Sequence, residues 1–379
     1  MKKVLVLFVL LASIFVLASC EAREAEIAMI TDAGDIDDKS FNQGTWEGIV
    51  EFAQENDKTY KYYKPTEVSF DAYVDAIELA VGNGAKIVVT PGYLFEQSIH
   101  KAQSMYPDVK FVLIDGAPNN VTDFDTMETY DGEEPDFTIA DNTLSILFKE
   151  HESGFLAGYA AVKEGFEELG FMGGMAVPAV VRFGIGWVAG AYYAAAEEDL
   201  EDYAYDPTYY IYLDSFDPSD ETKNTASAWY SAGVEAIHAA AGGAGNSVMS
   251  AAQEEDDKWV FGVDVDQSAQ SDAVISSAMK ALGVVVQDAL SDYYDDTFEG
   301  GESLNLGAAE DAVGLPLGDS FRFENFTEAE YDAIFDAIVS EDVVVPDEYD
   351  SLEAMIEDLD YDVPVGLDEA ATPTPEEEE

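Results

Sequence analysis

The sequence predicts an α/β protein of two lobes, in which parallel sheets are flanked by helices. Short apolar runs alternate with amphipathic helical patterns along most of the 379 residues, and this alternation is typical of βαβ units. The alternation occurs twice, on either side of an acidic loop within residues 116–150. The length also suits two domains of roughly 100–200 residues each.

The elements before the acidic loop are three predicted strands and two predicted helices. The strands are short apolar runs rich in β-branched residues. In the first helix, Phe41, Gly44, Gly48 and Phe52 recur at helical spacing. The predicted elements are a strand at 27–31, a helix at 41–56, a helix at 71–84, and strands at 86–92 and 110–116.

The elements after the loop repeat this pattern. The first is a helix with small residues on one face, and the next is a strand that runs into a glycine turn. The predicted elements are a helix at 151–164, strands at 169–175 and 208–216, a helix–strand–helix unit at 225–255, a strand at 258–266, and a strand followed by a helix at 273–294.

These patterns divide the chain into segments joined by crossovers. Because ligands bind outside the carboxyl ends of parallel strands, a cleft between the two lobes is the expected site. The predicted segments are lobe 1 at 27–145, lobe 2 at 146–270, a crossover back to lobe 1 at 271–310, a C-terminal crossover with packing segments at 311–365, and a disordered acidic tail at 366–379.

The charge of the chain excludes several partners. There are 79 Asp and Glu residues against 17 Lys and Arg, a formal net charge of −62. Nucleic acid is excluded because phosphate binding needs clustered cations. An anionic membrane surface would likewise not attract the folded part. Such acidity is associated with saline surroundings.

The N-terminus predicts export and attachment to the cell membrane. Lys2 and Lys3 precede a long apolar run that ends in "LASC" at Cys20, so residues 1–19 are predicted to be a signal peptide. "LASC" resembles the lipobox of bacterial lipoproteins, in which the cysteine carries the lipid; residues 20–26 would then be a lipidated tether on the extracytoplasmic face. The alternative is a free thiol, since Cys20 is the single cysteine and no internal disulfide is possible.

The stretch "ITDAGDIDDKSFNQGTWEGI" at 30–49 places an acidic loop between a buried strand and a helix. Its position at a strand's carboxyl end favours ligand contact for Asp32, Asp38, Phe41 and Asn42. Capping of the helix by Asp38 or Ser40 is the alternative role.

A calcium loop is a second interpretation of this stretch, but the glycine and final glutamate of an EF-hand are missing. The three histidines have no metal-binding spacing. We therefore expect no metal, no cofactor and no catalytic residues.

Several motifs together resemble the basic membrane protein family, the substrate-binding lipoproteins that include the purine nucleoside receptor. The resemblance covers about residues 25–310 and implies a periplasmic-binding-protein-like fold of type I, with a hinge and a nucleoside in the interlobe cleft. The motifs are "TDAGDIDDKSFNQGTWEGI", "FVLIDG", "LSILFKEHESGFLAGYAAV", "GFMGGMAVPAVVRFGIGW", "HAAAGGAGNSVMSAAQE", "GVDVDQSAQ" and "SSAMK".

The resemblance also implies a role for each matching residue. Phe41 and Phe216 match positions that stack on the base, while Asp264 and Lys280 match positions that bind the ribose. Asp115 matches a carboxylate that binds the base. Asp32 and Asn42 can bond the base edge, and Gly242 lets the backbone approach the ligand. A buried core position is the alternative for the two phenylalanines, and a surface ion pair is the alternative for Asp264 and Lys280.

The function implied by the resemblance is capture of a purine nucleoside for an ABC permease and its ATPase. A sensor that binds a sugar or a signalling molecule remains an alternative. A nucleoside or sugar hydrolase would need two carboxylates at the bond. Asp264 and Asp266 alternate along a predicted strand and would point to opposite faces, which argues against an enzyme.

Overall fold

The computed structural model describes residues 25–124 and 126–372. These residues form two α/β lobes and a small two-stranded hairpin. The predicted signal peptide, Cys20 and most of the tether lie outside the described residues, as do residues 373–379.

The sheet of lobe 1 contains six strands, and all of its neighbouring strands are parallel. Both faces of its central strands are buried, as the apolar runs predict. In spatial order the strands are β13 (Glu302–Leu306), β7 (Thr143–Phe148), β4 (Lys110–Ile114), β3 (Ile87–Pro91), β1 (Ile27–Ile30) and β2 (Tyr60–Tyr63).

Successive residues of β1 pack into different cores because strand side chains alternate between faces. Ile27 and Met29 belong to the larger core, whereas Ala28 and Ile30 belong to a core confined to lobe 1. Two helices cover each face: α1 (Phe41–Glu55) with α8 (Leu282–Tyr294), and α2 (Phe70–Gly82) with α3 (Glu96–Met105).

The sheet of lobe 2 repeats the arrangement of lobe 1. It has six strands in a corresponding order, and only its short edge strand β14 is antiparallel to its neighbour. In spatial order the strands are β14 (Val313–Gly314), β12 (Val274–Lys280), β11 (Trp259–Asp264), β10 (Ala236–Ala240), β8 (Leu169–Gly173) and β9 (Tyr210–Tyr212).

Four helices flank the sheet of lobe 2. On one face lie α4 (Glu150–Glu164) and α5 (Pro178–Glu197), and on the other lie α6 (Asp220–Ala232) and α7 (Gly245–Ala252). The predicted small-residue face of α4 packs directly on α5. Together the two sheets and their helices confirm the predicted α/β class with two lobes.

The strand pairing shows that two lobe boundaries lie at other residues than the sequence predicts. Strand β7 continues past residue 145 and pairs with β4 in lobe 1, so the chain crosses to lobe 2 at Lys149. Strand β12 lies within the predicted crossover at 271–310 but pairs with β11 in lobe 2, so the return crossing comes after Lys280. A third crossing follows β13.

The predicted disordered tail begins too early. Residues 367–371 form the short helix α11, and both Leu367 and Ala371 are fully buried. The Tyr212 hydroxyl donates to the carbonyl of Ala371 at 3.0 Å. Apolar side chains four residues apart give this segment a buried face, which the acidic composition around it conceals.

The remaining elements are peripheral. The hairpin pairs β5 (Val121–Asp123) with β6 (Glu128–Thr129), and the C-terminal region adds α9 (Glu328–Val339) and α10 (Tyr349–Asp358). Over the ranges 25–124 and 126–372, we find no helix with the length and apolar character needed to cross a membrane.

Candidate ligand-binding site

The carboxyl ends of strands from both lobes surround one cavity of about 230 Å³. A cavity of this size suits a small organic molecule. All nine residues predicted to bind ligand line it: Asp32, Asp38, Phe41, Asn42, Asp115, Phe216, Gly242, Asp264 and Lys280. Their contact with a ligand remains a prediction.

Two of the carboxylates occupy matching places in the lobes. Asp115 directly follows β4, and Asp264 is the last residue of β11, the corresponding strand of lobe 2. Both have left-handed backbone, with φ of 57° and 66°. Aspartate tolerates this conformation better than most residues, but it still costs free energy. Such strained residues cluster at ligand-binding sites.

The acidic loop after β1 is held by its own carboxylates. Asp38 accepts hydrogen bonds from the backbone N–H groups of Ser40, Asn42 and Gln43 at 2.9–3.1 Å, and from the Asn42 side chain at 3.0 Å. These four donors fill the acceptor positions of a carboxylate. Asp38 therefore fixes the start of α1, as the capping alternative predicts, and its contact with a ligand stays untested.

Asp32 accepts two hydrogen bonds through one of its oxygens. Its Oδ1 accepts from the backbone of Gly34 at 2.8 Å and from Asn42 Nδ2 at 2.9 Å. Its Oδ2 lies beside Gly92, which also lines the cavity. Burial raises the pKa of Asp32 to about 6, against the lowering effect of the Gly34 and Asn42 hydrogen bonds. Asp32 can thus change charge near neutral pH.

Two glycines leave the space that the Phe216 ring occupies. A Cβ on Gly174 would lie 2.3 Å from the Phe216 ring, and one on Gly242 would lie 3.3 Å from it. Gly242 also has a φ of 53°, in the left-handed region that favours glycine. Gly242 is therefore needed both for its backbone and for the packing of Phe216.

Lys280 lies between the carboxylates of the site. Its Nζ is 2.5 Å from Asp115 Oδ2, 3.3 Å from Asp264 Oδ1 and 3.8 Å from Glu150 Oε1. The same Nζ is 4.5 Å from the centre of the Phe41 ring, a cation–π distance. The surface ion pair considered for Asp264 and Lys280 is ruled out, because the Lys280 side chain is 2% exposed.

The charges in this cluster depend on one another. Burial opposes the charge of Lys280, but Asp115, Asp264 and Glu150 outweigh it and raise the pKa of the ammonium. Burial also raises the pKa of Asp115, which Lys280 lowers and Glu150 and Asp264 raise further. Lys280 is therefore cationic, and the carboxylates around it outnumber this single positive charge.

Polar side-chain contacts join the lobes across the cleft. Lys280 reaches Asp115, and the hydroxyl of Ser40 donates to Asp264 Oδ2. Gln267 Nε2 donates to the carbonyl of Lys39 at 2.8 Å. Both oxygens of Asp264 thus have protein partners, and a ligand hydroxyl at Asp264 would have to share or displace them.

Some residues near the cavity were not predicted to belong to the site. Ser40 was considered only as a helix cap, but its side chain makes no capping hydrogen bond and donates to Asp264 instead. No local sequence pattern marked Glu150 as a site residue, although it follows "FK" at the end of a strand. Neither residue lines the cavity itself, and the cavity-lining residues that were not predicted include Tyr93, Phe183 and Asn246.

The two aspartates considered for a hydrolase, Asp264 and Asp266, do not come together at the cavity. Asp266 accepts from Ser268 and Ser320 and does not line the cavity with Asp264. Within residues 25–124 and 126–372, no group of three His, Cys, Asp or Glu side chains could hold a metal ion.

Comparison with known proteins gives the family of the chain. The Bmp family model, described as "ABC transporter substrate-binding protein PnrA-like", matches residues 25–348. An "ABC transporter nucleoside-binding protein BmpA" of Lactococcus lactis subsp. cremoris is 28% identical over 82% of this chain and 90% of that protein. "Basic membrane protein A1" of Borrelia garinii subsp. bavariensis is 30% identical over 94% of this chain and 100% of that protein.

A solved structure supports the fold. An ABC transporter solute-binding protein from Aeropyrum pernix K1 has a TM-score of 0.70 and 23% identity, covering 91% of this chain and 99% of that one. This likeness confirms the predicted periplasmic-binding-protein-like fold, and the family match confirms the resemblance found in the motifs. The chain belongs to the PnrA-like family of ABC transporter substrate-binding proteins.

Proposed function

We propose that the protein captures a purine nucleoside in the interlobe cavity and delivers it to an ABC importer. Attachment through a lipid on Cys20 would keep it at the extracytoplasmic face of the cell membrane, beside the permease and its ATPase. The observation that carries the proposal is a cavity between the lobes that is lined by phenylalanine rings, among them Phe41 and Phe216, by several carboxylates and by Lys280.

The chemistry of the cavity matches the parts of a nucleoside. A flat base can pack against the rings of Phe41 and Phe216. The carboxylates of Asp32 and Asp115 both line the cavity and can accept hydrogen bonds from N–H groups of the base. Asp264 and Lys280 supply an acceptor and a donor for ribose hydroxyls.

The excess of carboxylates also defines what the cavity should reject. Asp32, Asp38, Asp115 and Asp264 line it together with one cation, Lys280. A ligand with a phosphate group would bring further negative charge into a partly buried acidic site, which is unfavourable. We therefore expect a nucleoside to bind and the corresponding nucleotide to bind far more weakly.

Mass spectrometry of the small molecule retained after gentle purification tests this proposal. We expect guanosine, inosine or adenosine. The complementary measurement is calorimetric titration of ligand-free protein with inosine and with inosine monophosphate. Retention of a free sugar, together with no heat from any purine nucleoside, would instead support the sensor alternative.

Incubation with inosine tests the enzymatic alternative. A binding protein returns the nucleoside intact, because nothing in its mechanism breaks the bond between base and ribose. Release of hypoxanthine in proportion to protein concentration would contradict our proposal.

A further inference from the structure

Glu150 is a buried charge beside the site that does not line the cavity. It is the first residue of α4, its side chain is 0% exposed, and its Oε2 accepts a hydrogen bond from Arg182 Nε at 2.7 Å. Its Oε1 makes no hydrogen bond and lies 3.8 Å from Lys280 Nζ. A buried carboxylate is costly unless it is paired, so its position calls for an explanation.

The lobe to which each charge belongs supplies that explanation. Lys280 ends β12 and Asp264 ends β11, both in the sheet of lobe 2, while α4 and α5 bring Glu150 and Arg182 to the same lobe. Asp115 alone comes from lobe 1. Movement of the lobes would therefore separate Lys280 from Asp115 while Glu150 and Asp264 stay with it.

We propose that Glu150, paired with Arg182, is a positioning residue that holds the Lys280 ammonium within lobe 2. Lys280 is then already in place when Asp115 of lobe 1 closes on it and on the ligand. The connection to ligand affinity rests on the proposed function, whereas the electrostatic role of Glu150 does not.

The contribution of Glu150 should be detectable at Lys280 without any ligand. The charged groups around Lys280 are Asp115, Asp264 and Glu150, and Arg182 pairs with Glu150. Lys280 Nζ also lies 5.5 Å from the centre of the Phe183 ring, on α5 of the same lobe. Because Glu150 and Phe183 belong to lobe 2, they stay beside Lys280 when the lobes separate. Loss of the Glu150 charge should therefore let the ammonium move away from the Phe183 ring.

The first test is a carbon-13 NMR spectrum of ligand-free protein with labelled lysine, in which the Lys280 Cε signal is assigned by its loss in Lys280→Met. Glu150→Gln should shift this signal from its wild-type position, because the ammonium is no longer held beside the Phe183 ring. Glu150→Asp keeps the charge and should largely restore the signal. An unchanged signal in Glu150→Gln, or equal shifts in the two variants, would overturn the proposal.

The second test is a double-mutant cycle with Lys280→Met, read by calorimetry with inosine. Glu150→Gln alone should weaken binding by about tenfold. In the Lys280→Met background the same change should have less than about a twofold further effect, because Glu150 acts through Lys280. Equal effects in both backgrounds would show that Glu150 acts independently of Lys280 and would refute the proposal.

Further variants serve as controls for both tests. Glu198→Gln removes a carboxylate of an exposed pair with Lys163 and should change neither measurement. If Glu150→Gln does not fold, the double variant Glu150→Gln/Arg182→Leu removes both members of the buried ion pair. This double variant then takes the place of Glu150→Gln in both tests. If wild-type protein binds no inosine, the proposed function fails, while the Lys280 spectrum of ligand-free protein still decides the role of Glu150.

Discussion

At the scale of single residues, Asp32 should make ligand binding depend on pH near neutrality. Its pKa is raised to about 6, so the carboxylate is ionised at pH 7 and takes up a proton below pH 6. A base N–H that donates to ionised Asp32 would lose its acceptor on protonation. Calorimetric affinity for inosine should therefore fall by about tenfold from pH 7 to pH 5.

Asp32→Asn is the control for this pH effect. The amide keeps the shape of the carboxyl group but has no charge to lose, so the affinity of this variant should fall much less between pH 7 and pH 5 than that of the wild type. The pKa values of Asp38 and Asp115 are also raised. An unchanged pH step in Asp32→Asn would assign the step to one of them and contradict our assignment.

The phenylalanines predicted to stack on the base, Phe41 and Phe216, give a second prediction at this scale. Phe216→Ala should weaken binding of a purine nucleoside by more than about tenfold, because stacking on a base contributes about 1–3 kcal/mol. Phe41→Ala should do at least as much, since its ring also lies 4.5 Å from Lys280. Calorimetry measures both effects.

Phe137→Ala is the matched control for the stacking prediction. Its ring is 53% exposed and does not line the cavity, so its removal should leave affinity unchanged. Unchanged affinity in Phe216→Ala, with the fold retained, would show that the base does not stack there.

The sequence could identify the residues of the site only where the local pattern carries a signal. Asp115 and Asp264 end predicted strands, and the family motifs supply the remaining positions. Glu150 escaped because its partners, Arg182 and Lys280, are 32 and 130 residues away along the chain. Pairing over such distances is a product of the fold, and no local pattern records it.

At the scale of helices and strands, the contact between α4 and α5 depends on glycine. A Cβ on Gly158 would lie 2.0 Å from the carbonyl oxygen of Trp187, and one on Gly190 would lie 2.0 Å from that of Phe155. Both obstacles are backbone atoms and cannot rotate away. The small-residue face predicted for α4 is thus what allows the two helix backbones to approach so closely.

Gly158→Ala should therefore destabilise the protein by about 1–3 kcal/mol, the usual cost of overpacking. The measurement is the urea midpoint of unfolding at constant pH. Gly82→Ala, at the end of α2, is the matched control because its Cβ would meet no atom within 4 Å. It should be neutral or slightly stabilising, since alanine favours helix more than glycine. Equal midpoints for the two variants would contradict the packing argument.

Some elements were missing from the sequence prediction because their residues show no clear apolar pattern. Strands β2 and β13 are sheet edges whose side chains are mostly exposed, so they lack a continuous apolar run. Helix α5 has the opposite property: most of its residues are buried, and no polar face marks a helical period. Buried central strands such as β3 and β4 were predictable because both of their faces are apolar.

At the scale of the whole molecule, the two-lobed architecture was predictable because the strand–helix alternation occurs twice. The crossing points were not, because they depend on which sheet a strand joins. Strand β12 pairs with β11 although it lies only one residue before α8 of lobe 1. Nothing in the apolar run of β12 distinguishes one sheet from the other.

The net charge of −62 gives the last prediction. Repulsion among so many carboxylates destabilises the compact state, and dissolved salt screens it. Between 0.01 and 0.15 M ionic strength the Debye length falls from about 30 Å to about 8 Å. The urea midpoint should rise steeply over this range with sodium or potassium chloride alike, and then level off. A rise that begins only near molar salt would indicate exclusion of salt from the protein surface, and charge repulsion would then not be what limits stability.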